Sequence, residues 1–397
     1  MLRPILLALV AAAPAIADGP VIASLDDPKT FAPPKDKARA EMVEGKVGKA
    51  IRFSFEKHAR SVFFTSRIRG TPEWDKAAGL SFWVCGDGHD GFGGLQLIFN
   101  EDYAVRYDLA FRIRGTEWTK IVVPWRDFVP VLPGEKSPPL DPAGPNKPSQ
   151  VSALWVGKWW YWGDYPPVTF ALDEIRLEPT IEPDAKEYKP AGPPLGRVAA
   201  KLKAGKPITV VTMGDSLTDT RHWANRTTNW PTLLKAAVKE KYKSDVTVVN
   251  PAIGGTQLRQ NLVLIPRWLE QAPEPDLVTV FFGGNDWEGG MRGEQFRQTV
   301  ADAIDRIRRA TRGKADVLVL TTNPSVAAWD TMAELAEACR QAARDRKAGL
   351  ADTYAAFHEA GKENKERLYV TDKVHLAPPG HSLVAETVLK AIEAGEK

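Results

Sequence analysis

The chain is divided by two patterns of hydrophobic and polar residues. From residue 20 to about 178, short runs alternate apolar and polar positions and are separated by turn residues, which is typical of antiparallel strands. We interpret as strands the runs 50–55, 79–84, 94–99, 103–107, 119–125 and 168–177. Because no helical period accompanies them, we predict that this part of the chain is an all-β sandwich.

From about Lys206 onward, fully apolar runs alternate with amphipathic ones. The predicted strands cover residues 208–212, 246–250, 277–282 and 316–322. The predicted helices cover residues 230–242, 258–271, 294–311, 330–347 and 379–393. Apolar strands that alternate with helices favour a parallel sheet covered on both faces, which makes this part a three-layer α/β/α domain.

The N-terminus has the features of a secretory signal. A single basic residue, Arg3, precedes a short apolar run, and Ala15-Ile16-Ala17 supplies an A-x-A cleavage site. We therefore predict a signal peptide at residues 1–17 and a secreted or periplasmic protein. The other predicted units are a β-sandwich domain at 18–178, a proline-rich linker at 179–204 and an α/β domain at 205–397.

Composition excludes some classes of function. The formal net charge is +3, with 53 basic and 50 acidic residues, which argues against a nucleic-acid partner. No later run is apolar and long enough for stable membrane insertion, and we expect a monomer. Cys85 and Cys339 fall in different predicted domains, so we expect two free, buried thiols.

The stretch Thr209–Asp219 carries the first candidate for chemistry. Its apolar strand ends at Gly214, and Asp215 and Ser216 follow at the carboxyl end of that strand. In open α/β sheets this edge is where ligands bind. A serine on a tight turn after a strand is well placed to be an exposed nucleophile.

Three further stretches are expected at the same edge of the sheet. They are Pro251–Thr256, Gly283–Asp286 and Asp372–Leu376. Each stretch also has a purely structural interpretation. Glycines permit a bend, Asn285 can cap a turn, and a histidine in a loop is often solvated. Asp215 and Asp286 are interpreted as structural residues that accept hydrogen bonds from backbone amides around their turns.

These stretches together resemble the SGNH, or GDSL-type, hydrolase family. Gly214–Leu217 resembles the first block of the family, Asn250–Gly255 the second, Gly283–Asp286 the third and Asp372–His375 the last. The four blocks occur in family order, and the resemblance covers roughly residues 205–394. It implies a flavodoxin-like three-layer hydrolase domain that needs no metal or organic cofactor.

The resemblance also implies a role for each matched residue. Ser216 would be the nucleophile, His375 its general base, and Asp372 the carboxylate that orients the histidine. The oxyanion hole would consist of the Ser216 N–H, the Gly255 N–H and the Asn285 side chain. Gly254 is the alternative to Gly255 for the middle donor.

Two histidines and a tryptophan lie near these blocks in sequence or in the predicted fold. We predict that His381 lies in the first turn of the last helix and supports the loop that carries His375. His222 and Trp223 follow the nucleophile in sequence. They either line the cleft or lie on the surface.

The N-terminal part resembles jelly-roll carbohydrate-binding and galactose-binding-like domains. The stretches that carry this resemblance are residues 118–128 and the closing run Phe170–Ile175. Related domains sometimes hold a structural calcium, for which Asp173 and Glu174 are the candidates here.

An aromatic cluster follows in the same part of the chain. Aromatic rings stack on the C–H faces of sugars, and the candidate sugar contacts, including two from the α/β domain, are Trp159, Trp162, Tyr165, Trp223 and Trp287. Alternatively, the clustered rings are sandwich core or pack against the second domain and wall its cleft.

The architecture resembles two-domain polysaccharide acetyl esterases. We therefore predict an exported serine esterase that removes O-acetyl groups from a polysaccharide or oligosaccharide. One alternative is a lipase or thioesterase acting on lipid-type acyl esters. The polar side chains near the predicted site, Arg259, Gln260, Glu288 and Arg292, favour a sugar. A second alternative is a glycan-binding protein with an inactive hydrolase domain.

Overall fold

A computed structural model of the chain describes residues 19–132, 138–181, 188–190 and 192–395. The predicted signal peptide, residues 1–17, lies outside the described residues, and so does part of the predicted linker. Among the helices of the described ranges, none has the length and apolar character needed to cross a membrane.

The N-terminal part consists of antiparallel strands joined by turns and short 3-10 helices. In chain order the strands are β1 (Val21–Ala23), β2 (Phe31–Ala32), β3 (Ala38–Glu44), β4 (Lys49–Phe55), β5 (Val62–Ser66), β6 (Gly79–Gly86), β7 (Gly91–Phe99), β8 (Asp102–Ile113), β9 (Thr119–Pro124), β10 (Val129–Pro130), β11 (Val151–Lys158) and β12 (Val168–Glu178). The pattern missed β3, in which no residue is fully buried, because a half-exposed edge strand carries little apolar signal.

These strands form two sheets that pack face to face. One has the order β3-β4-β12-β6-β9, with β1 also paired to β12, and the other has the order β10-β8-β7-β11-β5-β2. Phe53, Phe82 and Phe170 from the first sheet are buried together with Leu97 and Leu154 from the second. The predicted β-sandwich is therefore confirmed.

The C-terminal part alternates helices and strands around a parallel sheet. Its elements are α1 (Gly196–Lys203), β13 (Ile208–Gly214), α2 (Trp230–Tyr242), β14 (Val246–Val249), α3 (Leu258–Val263), α4 (Ile265–Gln271), β15 (Leu277–Phe281), α5 (Gly284–Glu288), α6 (Gly293–Ala310), β16 (Asp316–Leu320), α7 (Ala333–Asp345), β17 (Gly349–Ala351), α8 (Thr353–Ala360) and α9 (Pro378–Ala394).

The sheet has the order β14-β13-β15-β16-β17 and is parallel throughout. This is the 2-1-3-4-5 order of flavodoxin-like folds. Apolar residues of α1, α2 and α9 cover one face of the sheet. Residues of α3, α4, α6 and α7 cover the other face. The predicted three-layer α/β/α fold is confirmed.

Two predicted segments differ from the structure. The predicted linker 179–204 is wrong over α1, because Val198 and Leu202 of this helix are buried in the core of the α/β domain. The predicted single helix 258–271 is two helices, α3 and α4, which meet at Leu264. Pro266 explains the break, since it has no N–H to donate to the carbonyl four residues earlier.

The sandwich packs directly on the α/β domain. Ile98 and Ala110, on the outer face of the second sheet, share a buried cluster with Leu262 of α3 and Ile265 of α4. Arg306 of α6 adds hydrogen bonds of 2.7 and 2.9 Å to backbone carbonyls of the sandwich, those of residues 126 and 127. The two parts of the chain therefore share a core.

The two cysteines are free, and Cys339 is buried. Cys85 is only partly buried, so the prediction of a buried thiol is wrong at that position. It lies on β6, which pairs with β9 and β12.

Candidate active site

Ser216 follows β13 in a turn that requires glycine at its start. A Cβ at Gly214 would lie 2.3 Å from Oγ1 of Thr218, so the close approach of these residues excludes any larger side chain. The turn is held by Asp215, whose backbone oxygen accepts from the Thr218 N–H at 3.0 Å and whose Oδ1 accepts from the Leu217 N–H at 3.0 Å. Ser216 is thereby fixed, half-buried, at the carboxyl end of the strand.

The serine, the histidine and the aspartate of the predicted triad lie together. Nε2 of His375 is 2.8 Å from Oγ of Ser216, and Nδ1 is 2.6 Å from Oδ2 of Asp372. Because a carboxylate only accepts, these partners assign the proton to Nδ1 and leave Nε2 free to accept from the serine hydroxyl. This arrangement can move the hydroxyl proton from Ser216 to His375.

Asp372 is held by its own loop. Its Oδ1 accepts from the backbone N–H groups of Val374 and His375, both at 2.9 Å. Burial alone would raise the pKa of Asp372, but the hydrogen bonds from the His375 ring and from these amides outweigh it, so the pKa lies below its ordinary value. The aspartate is therefore ionised when it accepts the hydrogen bond from the Nδ1–H group of His375.

The backbone N–H groups of Gly254 and Gly255, the glycine pair of the second block, have different environments. The Gly254 N–H donates to Oδ2 of Asp219 at 3.2 Å. The Gly255 N–H has no hydrogen-bond partner among the described residues, and Gly255 is exposed with φ at +76°. Of the two alternatives for the middle oxyanion donor, the geometry favours Gly255.

Asn285 lies close to the nucleophile turn, but its amide is already engaged. Its Nδ2 is 3.2 Å from Oδ2 of Asp215 and 3.1 Å from the backbone oxygen of Thr256. Both distances lie at the upper end of the ordinary range for N–H···O hydrogen bonds. To donate to an oxyanion, the amide must exchange or share one of these bonds.

Two carboxyl groups, those of Asp215 and Asp286, are fully buried beneath this region. Burial raises the pKa of Asp215 to about 6, although the Leu217 N–H and the charge of His375 lower it. Burial also raises the pKa of Asp286 to about 7, and the charge of Asp215 adds to this rise. Oδ1 of Asp286 accepts from the Leu258 N–H at 3.0 Å, so both residues accept from backbone amides, as predicted, but Asp286 does so at the start of α3.

His222 is part of the site. Its ring lies against that of His375, and a Cβ at Gly254 would lie 3.6 Å from its Cδ2. The rings of Trp223 and His375 form an edge-to-face pair with their centroids 5.9 Å apart. Trp223 is 54% exposed. His222 and Trp223 therefore both lie beside His375, and Trp223 is also exposed to solvent.

Two residues of the same loop were missed by the sequence analysis. Besides receiving the Gly254 N–H, Asp219 pairs with Arg221 through its Oδ1 at 2.9 Å. Arg221 in turn donates from Nη2 to the Ala252 oxygen at 2.8 Å. The only sequence signal is an aspartate two residues before an arginine, which is too common to single out.

The predicted sugar contacts fall into different environments. Trp159 and Trp162 are 4% and 3% exposed and lie in the core shared by the two domains, so these two predictions are wrong. The alternative, packing against the second domain, describes them. Tyr165 is half-buried against the same core. Trp223 remains accessible.

Trp287 and its neighbours are more enclosed than expected. Trp287 is half-buried, with the guanidinium of Arg292 over its ring at 4.6 Å. Arg259 and Gln260 are buried. Arg259 donates to the Leu132 oxygen at 2.7 Å. Because both side chains are buried, their polarity does not favour a sugar substrate as predicted.

His381 lies in the first turn of α9, as predicted, and is fully buried. Neither ring nitrogen has a hydrogen-bond partner among the described residues. Burial lowers the pKa of His381 to about 4, so the ring is neutral in the folded protein near pH 7.

Asp173 and Glu174, the predicted calcium ligands, each have contacts to protein groups. Glu174 pairs with the guanidinium of Arg176 at 2.9 Å, and Oδ2 of Asp173 accepts from the Val47 N–H at 2.8 Å. Over the described ranges, no group of three or more His, Cys, Asp or Glu side chains is placed to hold a metal ion.

The family model described as the GDSL-like lipase/acylhydrolase family matches residues 212–383. The thioesterase 1/protease 1/lysophospholipase L1 of Escherichia coli K12 is 31% identical over 113 residues. That match covers 28% of this chain and 51% of the relative, so it spans about half the length of the relative.

Two solved hydrolase structures align with about half of this chain. An acetylxylan esterase from Geobacillus stearothermophilus aligns with a TM-score of 0.40 at 22% identity, over 48% of this chain and 96% of its own. An α/β hydrolase from the metagenome of Lake Arreo, Spain, aligns with a TM-score of 0.39 at 20% identity, over 48% of this chain and 97% of its own.

Proposed function

The C-terminal half of the chain contains a GDSL/SGNH lipase–acylhydrolase domain, and on this premise we propose that the protein is a serine esterase that hydrolyses O-acetyl esters of a carbohydrate. The observation that carries the ester hydrolysis is the continuous path Ser216–His375–Asp372, with donor–acceptor distances of 2.8 and 2.6 Å. A serine hydroxyl needs such an adjacent base because it is a weak nucleophile at its ordinary pKa.

In the proposed reaction, Oγ of Ser216 forms a bond to the ester carbonyl carbon while its proton passes to Nε2 of His375. The C–O bond to the sugar then breaks, and the leaving alkoxide takes that proton. Water, deprotonated by His375, attacks the acyl-enzyme, and the proton returns to Ser216 as acetate leaves. The Gly255 and Ser216 N–H groups and the Asn285 amide would stabilise the oxyanion of each tetrahedral intermediate.

The carbohydrate part of the proposal rests on the surface beside the triad. Trp223 is 54% exposed and contacts His375 edge-on, so a sugar ring stacked on it would carry its ester towards Ser216. Among the described residues, the exposed large apolar side chains at the triad are Trp223 and Val374. These two side chains offer a platform for a ring rather than a groove for a long acyl chain.

A second candidate is hydrolysis of a longer acyl ester or thioester. It is favoured by the 31% identity with the Escherichia coli thioesterase and lysophospholipase over 113 residues. The two candidates share the triad and differ in the acyl chain that they accept.

Chain-length preference separates these candidates. The purified full chain would be assayed with p-nitrophenyl acetate, butyrate and octanoate, and then with an acetylated xylo-oligosaccharide, beside Ser216→Ala. Ser382→Ala, which removes a hydroxyl from α9, is the matched control. We expect fastest cleavage of acetate, acetate release from the oligosaccharide and loss of at least about 10³-fold in Ser216→Ala.

Other outcomes would lead to other conclusions. Preference for octanoate would replace the carbohydrate substrate with a lipid-type one. Equal activity of wild type and Ser216→Ala, or none in either, would overturn the esterase proposal and leave a glycan-binding protein with an inactive hydrolase domain. Binding of the same oligosaccharide by inactive wild type would support that third function.

Export is the remaining part of the proposal. It is supported by the apolar run after Arg3 and the A-x-A site at residues 15–17. N-terminal sequencing of the protein recovered from its native host should find Asp18 as the first residue. Recovery of an intact Met1 would contradict export by cleavage.

A further inference from the structure

A loop of the β-sandwich reaches the α/β domain beside the candidate oxyanion hole. This loop, residues Trp162–Gly163–Asp164, follows β11 and is here called the 162–164 loop. Arg267 of α4 donates from Nη1 to the Trp162 backbone oxygen at 2.6 Å and forms an ion pair with the carboxylate of Asp164. The same guanidinium lies over the Trp162 ring at 5.9 Å. One arginine thus holds both ends of the loop.

Gly163, in the middle of the loop, contacts Ile253. A Cβ at position 163 would lie 3.1 Å from Cδ1 and Cγ1 of Ile253 and 3.2 Å from Cγ2, which is closer than ordinary van der Waals contact. Gly163 also has φ at +78°, a conformation that residues with a Cβ adopt at a cost. The backbone of the sandwich therefore lies directly against this isoleucine.

Ile253 is the first residue of the turn that presents the Gly255 N–H. Its N–H donates to the Gly214 oxygen at 3.2 Å, and its own oxygen accepts from Oγ1 of Thr256 at 2.6 Å. The next residue, Gly254, lies against the nucleophile, since a Cβ there would be 3.5 Å from Cβ of Ser216. A shift of Ile253 would therefore move the amide that we assign to the oxyanion.

A second connection passes through Asp164. The hydrogen bond to Asp219 raises the pKa of Arg221 against the effect of burial, and the charge of Asp164 adds to the rise. Arg221 in turn holds the Ala252 oxygen at 2.8 Å. The carboxylate from the sandwich thus stabilises an arginine that fixes the residue preceding Ile253.

We propose that the 162–164 loop is a positioning element for the turn Ile253–Gly255, so that oxyanion stabilisation depends on contact between the sandwich and the α/β domain. This inference rests on the proposed esterase function. It assigns the sandwich a part in turnover that does not require it to bind glycan.

The first test compares Gly163→Ala with Gly115→Ala. Both glycines belong to the sandwich and have positive φ, +78° and +53°, but a Cβ at Gly115 would meet nothing within 4 Å. Both substitutions therefore place a Cβ at a positive φ, and only the Cβ at position 163 meets Ile253. Because Gly163 also has ψ at −32°, outside the left-handed helical region, a double variant with Ile253→Ala separates the contact from backbone strain. Since a misplacement of about 1 Å can cost about 10²-fold in rate, we expect kcat for p-nitrophenyl acetate to fall at least about tenfold in Gly163→Ala.

The proposed positioning role predicts a loss of kcat in Gly163→Ala without a matching change in KM. We expect KM within about threefold of wild type and an unchanged shape of the pH–rate profile, because the triad is untouched. Gly115→Ala should retain wild-type kcat. The double variant Gly163→Ala/Ile253→Ala should be faster than Gly163→Ala, because removing the isoleucine branches restores the space. Equal kcat in Gly163→Ala and Gly115→Ala would overturn the proposal.

Hydrogen–deuterium exchange separates this inference from the esterase proposal. A peptide covering residues 253–256 should exchange faster in Gly163→Ala than in wild type or Gly115→Ala, whether or not the protein hydrolyses esters. Inactive wild type with this change in exchange would refute the function but support the coupling. Unchanged exchange of this peptide would refute the coupling itself.

Discussion

The imidazole of His222 lies nearly parallel to that of His375, with ring centroids 4.2 Å apart and an interplanar angle of 28°. Burial lowers the pKa of His222, and the charge of His375 lowers it further. His222 is therefore neutral near pH 7. This matters because His375 becomes positively charged when it accepts the proton of Ser216, and a second cation against its ring would oppose that step.

Replacing His222 with a permanent cation should therefore slow the reaction. Two unit charges about 4 Å apart interact by about 4 kcal/mol at an effective dielectric constant near 20, although a flexible lysine would avoid part of this. We expect His222→Lys to lose about tenfold or more in kcat for p-nitrophenyl acetate at low salt, with partial recovery in 1 M salt. His222→Gln, the neutral control, should stay within a fewfold of wild type. An equal loss in both variants would mean that packing matters and charge does not.

Asp372→Asn tests the orientation of the histidine. The amide keeps the shape of the side chain but can donate to Nδ1, which would favour the tautomer with its proton on Nε2 and leave no acceptor for the serine hydroxyl. In the well-studied serine protease triad this change costs about 10⁴ in kcat. We expect a loss of about 10³ to 10⁴ at pH 7–8 with little change in Tm, since the Asp372 side chain is about one-third exposed. Activity within tenfold of wild type would exclude Asp372 from the triad.

Asn285→Ala tests the third oxyanion donor. Removal of one such donor costs about 10² to 10³ in kcat in a related setting, so we expect a loss of this size with KM nearly unchanged. The variant also removes the hydrogen bond of 3.2 Å from Nδ2 to Oδ2 of Asp215, so Tm should be measured in parallel. If kcat falls less than threefold, the amide remains bound to Asp215 and Thr256 during turnover and does not serve the oxyanion.

The layers of both domains were predictable because their strands are strongly patterned. Strand β15, with every residue buried, and helix α6, with Phe296, Val300 and Ile304 on one face, give unambiguous apolar periods. The short elements β17 and α8 were missed because 3 and 8 residues are too few to establish a period. The sugar contacts predicted for Trp159 and Trp162 were wrong for a different reason. A tryptophan at a domain interface and a tryptophan that stacks on a sugar have the same local sequence.

The candidate site was predictable where residue types are distinctive and unpredictable where only contact matters. Ser216 lies 159 residues before His375, and Asp372 lies three residues before His375. These residues could be grouped because each lies in a recognisable block. The contact of Gly163 with Ile253 has no such signal. It depends on how the sandwich docks on α4, which is a property of the folded chain.

Trp223→Ala tests the proposed sugar platform. Loss of one stacked ring should cost about 1 kcal/mol, which corresponds to an increase of about fivefold in KM for an acetylated oligosaccharide. KM for p-nitrophenyl acetate should change less, because this substrate has no sugar to stack. Tyr103→Ala, which removes a side chain of the sandwich that is 62% exposed, is the control for general loss of aromatic surface. Equal effects of Trp223→Ala on both substrates would exclude a sugar platform at this position.

The buried ring of His381 should make the folded state sensitive to acid. Its pKa is about 4 in the folded protein against an ordinary value of 6.5, so between these pH values the unfolded chain binds a proton that the folded chain does not. The free energy of unfolding therefore falls as the pH drops from 6.5 to 4, by up to about 3 kcal/mol from this residue.

His381→Phe tests this dependence on pH. The free energy of unfolding measured by urea denaturation should fall between pH 7 and pH 4.5 by about 2 kcal/mol less in this variant than in wild type. His89→Phe, which removes a histidine with a 90% exposed side chain, should leave the wild-type difference unchanged. An identical acid sensitivity in wild type and His381→Phe would show that the buried ring does not titrate as its environment implies.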